Sequence, residues 1–585
     1  MIKRFLILMF VVLISLSVVF AVPQYKYHNY EEMKEILNEL VNNNQDIAKL
    51  HSLGKTLEGR DVLLVEITNF DKGDPAKKPG IFISANLEGD HLIGSEIILN
   101  TMKYIIDNYK SGGKVKKLVD NRVFYFVPRV NPDAAELMFN SVKLNQRVNF
   151  TPVDDDNDGL IDEDGPEDLN NDGYITMMRV KDPEGEYMID PEDSRLMKKA
   201  DPSKGEKGEY KIYTEGIDND GDGKYNEDGP GGVNINMNFP HNYPYYKNGA
   251  GKFMVSENES RAVIDFIFSH RNIAVMLTYN LWDNLVTAPK PGKEKELDYS
   301  KFIDSRGRFR IPRDMDISQL RKLMRGQKAP RNISSIDIPY YKEVGKKYRE
   351  ITGSGATSTG IPEGAFFDWG YFQYGVPSFS AKIWDVPSTK EEKTGVKGKQ
   401  KIKKEKKSKD KKWLEWIDKE NQGEGFINWK PFTHPVLGEV EIGGFKPFIK
   451  LNPPERMIKD ISEKHAKFTV YLAGLCPEVK ISELKAENLG SGIYKVKARI
   501  QNNGYFPTAM NHALRARAVK PTLVKINLER DKILSGEKIN FISLIQGSGK
   551  NIELKWLIKS KTGEKIVITV DSQKGGSVAK ELILQ

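Results

Sequence analysis

The sequence predicts an α/β protein with a mainly parallel mixed sheet flanked by helices, followed by a C-terminal β-sandwich domain. Short apolar runs of strand type, such as 62–67 and 81–85, alternate with segments of helical period such as 96–110. This alternation is typical of parallel strands joined by helical crossovers. From Val479 the helical period gives way to alternating apolar and polar runs with Gly and Asn turns between them, which indicates the sandwich.

Two helix starts can be identified in the α/β part. Asn29 with Glu32 predicts a capping box for a helix that has one apolar stripe. Ser256 with Glu259 predicts a second capping box ahead of another helix.

The predicted strands locate the edge at which a ligand would bind. Besides 81–85, we predict strands at 123–127 and 273–277, and a last one near 379–383. Ligands of such sheets bind beyond the carboxyl ends of the strands. The segments that follow these strands are therefore the places to look for chemistry.

Composition limits the class of protein. A chain of 585 residues, 39% hydrophobic and 29% charged, predicts several globular domains and excludes a disordered polyelectrolyte or a multi-span membrane protein. The one cysteine, Cys476, excludes an intrachain disulfide framework and is interpreted as an inert buried thiol. Any metal chemistry must come from histidines and carboxylates.

The net charge of +8 resides in one lysine-rich run, Lys390 to Lys412. Twelve lysines and four acids in this run account for the whole excess, so the remainder of the chain is neutral. The run has no aromatic side chain to stack on bases and no arginine to hold phosphates, so nucleic acid is not an expected partner. We interpret it as a solvated loop, with contact to an anionic surface as the lesser alternative.

The N-terminus has the pattern of a targeting segment. Lys3 and Arg4 precede an apolar run, 5–20, and Val19-Phe20-Ala21 offers small residues at the cleavage positions. This predicts a signal peptide over 1–21 and a secreted, periplasmic or cell-surface protein. An uncleaved membrane anchor remains the alternative, because the run is long for a signal.

These observations divide the chain into three consecutive segments. Residues 1–21 are the signal peptide. Residues 22–460 form the α/β domain, with an acidic insert at about 150–232 and the lysine-rich loop at 388–412. Residues 461–585 comprise a helix and then the β domain.

The acidic insert repeats a calcium-type pattern at an offset of 64 residues. DDDNDGLIDEDGP from Asp154 matches DNDGDGKYNEDGP from Asp218, with acids at alternate positions around a Gly turn. Calcium takes six to eight hard oxygens, so structural Ca²⁺ is predicted, with a solvated acidic loop as the alternative. Neither repeat has Glu at position 12, so they are not EF-hands. The predicted ligands are Asp154, Asp156, Asp158, Asp162, Asp164, Asp218, Asp220, Asp222, Asn226 and Asp228.

Five segments together resemble the zinc carboxypeptidase family of the carboxypeptidase A type, in a large secreted form. They are LGKTLEGRDVLLVEITN from Leu53, SANLEGDHLIGSEIIL from Ser84, PRVNPDAAE from Pro128, VNINMNFP from Val233 and FDWGYFQYGVPSFSAKIW from Phe367. The resemblance implies a carboxypeptidase-like fold, hydrolytic release of C-terminal residues from peptides, and a Zn²⁺ cofactor.

The same resemblance assigns the site positions, and several are substituted. The zinc positions correspond to Glu88, His91 and Leu277, so the His and Glu of the family pair are exchanged and the third ligand is aliphatic. The general-base position holds Lys382, whose ammonium has no lone pair. The substrate-binding positions correspond to Asn236 and, by a looser match, Arg147.

These substitutions predict a site without protease machinery. We expect an ion pair between Lys382 and Glu88, with His91 nearby, in place of the metal. The chain is then a non-catalytic homologue that binds a peptide or peptidoglycan-like ligand. The alternatives are an active zinc metallocarboxypeptidase with a rearranged site, and a structural or adhesive surface protein. His241 is either a replacement ligand or a packed loop histidine.

Overall fold

The computed structural model describes residues 25–585 except 155–158, 227, 293–297, 305–306, 309, 312–315, 317–329, 359, 361 and 387–407. The predicted signal peptide, Asp156, Asp158 and most of the lysine-rich run therefore lie outside the described residues. Within the described ranges, no helix has the length and apolar character needed to cross a membrane.

A six-stranded mixed sheet forms the centre of the larger part. Its strands are β1 (Ala48–Lys55), β2 (Asp61–Ile67), β3 (Gly80–Ala85), β4 (Val123–Val127), β9 (Ile273–Tyr279) and β10 (Ser378–Ala381). The order is β1-β2-β4-β3-β9-β10, in which β4, β3, β9 and β10 are parallel and the β1–β2 and β2–β4 pairs are antiparallel. The predicted mainly parallel mixed sheet is confirmed.

Helices cover both faces of this sheet. They are α1 (Tyr30–Asn42), α2 (Ile93–Lys110), α3 (Gly113–Asn121), α4 (Pro132–Ala135), α5 (Asn258–Ser269), α6 (Ile338–Thr352), α7 (Phe366–Trp369), α8 (Lys409–Glu420) and α9 (Glu455–Ala473). Ile97 of α2, Tyr341 of α6 and Phe468 of α9 share one hydrophobic core, whereas Val263 of α5 lies in the core of the opposite face. Because α9 packs on α2 and α6, it belongs to the α/β layer.

Only one of the two predicted capping boxes forms. The Asn29 side chain accepts a hydrogen bond from the Glu32 amide (2.9 Å), and the Glu32 carboxylate accepts one from the Asn29 amide (3.1 Å). The box predicted at Ser256 and Glu259 is wrong, because α5 begins at Asn258 with no side-chain cap. Ser256 Oγ instead donates to the carboxylate of Glu257.

A second sheet, which the sequence did not predict, joins the acidic insert to a later hairpin. Its strands are β5 (Met177–Lys181), β6 (Tyr187–Ile189), β7 (Met197–Lys199), β8 (Tyr210–Thr214), β11 (Phe426–His434) and β12 (Gly438–Phe445). The order is β11-β12-β5-β8-β6-β7, and all its pairs are antiparallel. Met178 and Ile442 pack together in its small core.

The C-terminal part consists of two four-stranded antiparallel sheets, ordered β13-β14-β18-β16 and β17-β15-β19-β20. Its elements are β13 (Val479–Gly490), β14 (Ile493–Asn502), α10 (Asn511–Ala516), β15 (Thr522–Ile526), β16 (Ile533–Ser535), β17 (Ile539–Ile542), β18 (Lys550–Lys559), β19 (Lys565–Ser572) and β20 (Gly576–Ile583). One hydrophobic core, which includes Val496, Trp556 and Ile568, receives side chains from both sheets. This confirms the predicted β-sandwich.

Candidate functional site

The carboxyl ends of three parallel strands meet at one edge of the central sheet. Ala85 of β3 and Ala381 of β10 are both in register with Tyr279 of β9. The residues that follow, among them Asn280 and Lys382, therefore emerge side by side, and the Asn280 amide donates to the Ala381 carbonyl (3.3 Å). This is the edge at which sheets of this kind bind their ligands.

A cavity of about 400 Å³ opens at this edge. Its walls include Glu88, Arg147 and Lys382, three of the residues that the sequence assigned to the site. Trp282, which follows β9, also lines it. The structure thus brings these predicted residues together around one opening.

Glu88 is buried at the cavity wall and is held by Asn236. Its Oε1 accepts a hydrogen bond from Asn236 Nδ2 (2.8 Å), while Asn236 Oδ1 accepts from the Phe366 amide (3.0 Å). Among the described residues Glu88 Oε2 has no hydrogen-bond partner. Burial raises the pKa of Glu88 to about 7, against the opposing effects of Asn236 and Arg147.

His91 is an electrically neutral, enclosed imidazole. It is 1% exposed, and neither ring nitrogen finds a partner within the described part of the chain. Burial, reinforced by the charges of Lys382 and Arg147, lowers its pKa to about 3. The neighbouring Asp90 is also buried and accepts a hydrogen bond from Arg147 Nη2 (3.3 Å).

The predicted ion pair between Lys382 and Glu88 is wrong. Lys382 Nζ donates to Asp385 Oδ2 (2.8 Å) and to the Thr357 carbonyl (3.2 Å). No Lys382–Glu88 pair within 4 Å occurs in the described residues, although both side chains line the cavity. The reason is local. Asp385 lies three residues along the chain, and its carboxylate contacts the ammonium while it remains partly exposed to solvent. Glu88, in contrast, is buried and hydrogen-bonded to Asn236.

Leu277 lies away from the cavity. It is fully buried within β9 and packs in the hydrophobic core shared with α2, two residues before the strand ends. Asn280 is the first residue after β9, and the sequence did not identify it as a site residue. Asn280 Oδ1 accepts from Ser380 Oγ (2.7 Å) and from the Trp282 amide (2.8 Å). The sequence offered a partial signal, because the mainly apolar run continues past Thr278 to Tyr279, and the polar Asn280 follows directly.

The donor set at the cavity does not match a zinc site with three protein ligands. Glu88 and His91 supply a carboxylate and an imidazole, yet no third His, Cys, Asp or Glu of the described residues joins them in a group of ligand distance. Leu277 has no donor atom, and the oxygen of Asn280 already accepts two hydrogen bonds.

One such group occurs elsewhere, in the acidic insert. Among the described residues, carboxylate oxygens of Asp218, Asp220 and Asp222 lie within 4.8 Å of one another. Asp218 also accepts hydrogen bonds from the amides of Gly221 (2.7 Å) and Gly223 (3.0 Å), which closes the turn.

Other predicted calcium ligands form hydrogen bonds within the insert, and those of Asp164 and Asp228 link the two repeats. Asp164 and Asp228 form a backbone bridge (3.2 Å), and the Asp164 carboxylate accepts from the amides of Asn219 (3.0 Å) and Asn226 (2.6 Å). The carboxylates of Asp154 and Asp162 accept from backbone amides of the insert.

The remaining candidates belong to packed interiors. His241 stacks on Phe372 at 4.0 Å, and burial lowers its pKa to about 4, which supports the packed loop histidine. Cys476 is buried, and burial raises its thiol pKa to about 11, so the inert interpretation agrees with its surroundings.

Comparison with known proteins gives two family matches. Residues 33–160 match the zinc carboxypeptidase model, and residues 478–583 match a domain of unknown function (DUF8731). A zinc carboxypeptidase of Saccharothrix mutabilis subsp. capreolus is 30% identical over 135 residues, which are 22% of this chain and 31% of that protein. Carboxypeptidase D of Homo sapiens is 34% identical over 116 residues, 20% of this chain and 8% of that protein. The chain thus matches less than a third of each of these relatives.

Two solved structures align with this chain at low identity. Thrombin activatable fibrinolysis inhibitor aligns with a TM-score of 0.41 and 11% identity, over 78% of this chain and 77% of that one. Carboxypeptidase A from Helicoverpa armigera aligns with a TM-score of 0.33 and 16% identity, over 65% and 70% of the two chains.

Proposed function

We propose that this chain, whose residues 33–160 match the zinc carboxypeptidase family, is a non-catalytic homologue whose cavity binds a peptide or peptidoglycan-like ligand. The family reaction is the hydrolytic release of C-terminal residues, and the family implies zinc. One observation carries the proposal: among the described residues, neither Glu88 nor His91 belongs to a group of three His, Cys, Asp or Glu side chains at metal-ligand distance.

The general-base position supports the same proposal. Hydrolysis needs a group that removes a proton from the attacking water. Lys382 stands at that position, and its ammonium is hydrogen-bonded to Asp385 and the Thr357 carbonyl. An ammonium donates protons and cannot accept one.

The cavity retains groups suited to binding. Arg147 reaches it with a side chain that is 48% exposed, and a guanidinium has five N–H donors, of which one is bonded to Asp90. Arginine suits a carboxylate because two of its donors match the two oxygens. A peptide C-terminus is the expected partner of Arg147.

Metal analysis and peptide binding together test this proposal. Purified, unsupplemented protein should contain no stoichiometric zinc and should release no C-terminal residue from peptides, while still binding them in calorimetry. Arg147→Gln should weaken binding of a peptide with a free C-terminus more than binding of its C-terminally amidated form. Stoichiometric zinc with chelator-sensitive release of residues would overturn the proposal.

The second candidate function is an active metallocarboxypeptidase with a rearranged site. It is favoured by the buried Glu88 Oε2 and the two His91 nitrogens, which have no hydrogen-bond partner in the described residues. Glu88→Gln and His91→Gln distinguish the two functions. Both variants abolish peptide release and zinc content in an active enzyme, whereas in a binding protein the wild type already has neither and the variants do not change this.

The acidic insert supports a separate proposal, structural calcium. The grouped carboxylates of Asp218, Asp220 and Asp222 supply the hard oxygens that calcium prefers. Calcium at 100 times its dissociation constant would stabilise the folded insert by about 2.7 kcal/mol. Adding a chelator should therefore lower the melting temperature and speed proteolysis between the two repeats, and Asp220→Asn should reduce both effects. Calorimetry that detects no Ca²⁺ binding contradicts this proposal.

Residues 1–21 support a location outside the cytoplasm, because this segment has the composition of a signal peptide. Cell fractionation with N-terminal sequencing tests the export. A protein found only in the cytoplasm with an intact N-terminus would contradict it.

A further inference from the structure

Five cationic side chains converge on the cavity from separate parts of the chain. They are Arg147, Lys247, Lys382, Lys409 and Lys450. Among the described residues that line it, two are carboxylates, Glu88 and Glu363. Such a concentration of one sign of charge around an opening attracts ligands of the opposite sign.

The carboxylates that pair with most of these cations are not part of the cavity lining. Arg147 pairs with Asp90 (3.3 Å), Lys382 with Asp385 (2.8 Å) and Lys450 with Asp410 (2.5 Å), and Lys409 lies 3.9 Å from Asp385. None of those three carboxylates is among the residues that line the cavity. The lining itself therefore carries more cationic than anionic side chains.

Lys247 and Lys409 are the most exposed members of the group. Their side chains are 58% and 67% exposed, and Lys247 pairs with Glu363 at 2.7 Å. An ammonium has three N–H donors, so a single partner leaves others for charge-assisted hydrogen bonds to a ligand.

We propose that the cavity selects peptides that carry several carboxylates, such as a C-terminal segment rich in Asp and Glu, over neutral or basic peptides. This inference rests on the proposed function, because its ligand is a peptide in the same cavity. The volume of about 400 Å³ holds a few residues, which favours a short peptide end over an extended polymer. Several carboxylates on one short segment match cations that approach from several directions.

The selectivity is electrostatic and therefore depends on salt. Exposed charge pairs each contribute modestly, so removing one lysine should weaken binding about 2- to 5-fold. Screening at high ionic strength should reduce the preference for the acidic peptide.

Fluorescence anisotropy with the full chain tests the inference. Three labelled peptides of equal length, rich in Glu, Gln or Lys, are titrated at low and high salt. The Glu peptide should bind at least about 10-fold more tightly than the Gln peptide at low salt. Lys247→Gln and Lys450→Gln should each reduce this ratio, and the double variant should reduce it further.

A matched control lies in the β-sandwich. Lys565 is an exposed lysine paired with Glu581 at 2.7 Å, as Lys247 is paired with Glu363. Lys565→Gln should leave the ratio unchanged. Far-ultraviolet circular dichroism verifies that each variant is folded.

The outcomes separate this inference from the proposed function. Equal binding of the Glu and Gln peptides overturns the selectivity and leaves peptide binding intact, whereas binding of neither overturns both. An acidic preference that survives the double variant would place the binding elsewhere, for example on the lysine-rich run, and would overturn the assignment to this cavity. Tighter, Lys247-dependent binding of an anionic polysaccharide would overturn the peptide as ligand.

Discussion

Replacing Glu259 with Gln should stabilise the protein at alkaline pH and have little effect at acidic pH. Glu259 is 1% exposed in the first turn of α5, and neither carboxylate oxygen has a hydrogen-bond partner in the described structure. Burial, with the negative charges of Glu257 and Asp133, raises its pKa from an ordinary 4.5 to about 7.

The sign follows from proton binding. Between pH 4.5 and about 7 the folded protein keeps the Glu259 proton while the unfolded chain loses it, so stability falls as pH rises through this window. At 1.36 kcal/mol for each pH unit, the loss reaches about 3 kcal/mol above pH 7. Glu259→Gln removes the ionisable group and with it this loss.

The assay is urea unfolding of wild type and variant at pH 5 and pH 8, followed by tryptophan fluorescence. Taking the difference between their free energies of unfolding at each pH cancels the contributions of the other titrating groups. The free energy of unfolding of the variant minus that of wild type should be larger at pH 8 than at pH 5 by up to about 3 kcal/mol. Glu463→Gln, which changes an exposed carboxylate on α9, should alter stability by less than about 0.5 kcal/mol at both values. A Glu259→Gln difference that does not change with pH refutes the reasoning.

Two further predictions concern backbone positions. Gly94→Ala places a Cβ 2.8 Å from the Cβ of Tyr279 and should destabilise by about 1–3 kcal/mol in urea unfolding, whereas Gly355→Ala, which meets nothing within 4 Å, should change little. Equal effects would contradict the packing argument. Tyr246 is fully exposed with a left-handed φ of 63°, so Tyr246→Gly should leave stability unchanged or raise it by up to about 1 kcal/mol. Tyr245→Gly, at an ordinary φ, should lower it by about 0.5–1 kcal/mol; the reverse order in thermal unfolding would exclude strain at Tyr246.

The inner strands of the central sheet could be predicted from the sequence because they are buried on both faces, whereas the partly exposed edge strand β1 was not predicted. Runs such as 123–127, and 81–85 with Ser84 as its one polar residue, are mainly apolar and short, which distinguishes them from helices. The second sheet could not be predicted in this way. Strands such as Tyr187–Ile189 and Met197–Lys199 have three residues each, are only half buried, and pair within a sheet completed by a distant hairpin. Pairing of that kind leaves no periodic pattern in the sequence.

The candidate site could be located but its contacts could not. Glu88, Arg147 and Lys382 meet at one cavity, as expected from strand ends that share an edge. The sequence did not determine the partner of each side chain, because a charged residue near a strand end can pair with any of several nearby carboxylates. Asp385 was the nearer partner of Lys382, and a buried amide, Asn236, was the partner of Glu88.

The amide partner of Glu88 has an electrostatic consequence that links the site to its function. A carboxylate bound to a divalent cation stays ionised at neutral pH, because the cation opposes the effect of burial. Glu88, buried with Asn236 as its side-chain donor, has its pKa raised to about 7 by that burial. A proton on Glu88 near neutral pH removes negative charge from this buried position. Asn236, fixed by the Phe366 amide, can then hold Glu88 in place while the exposed cations of the cavity remain available for a ligand.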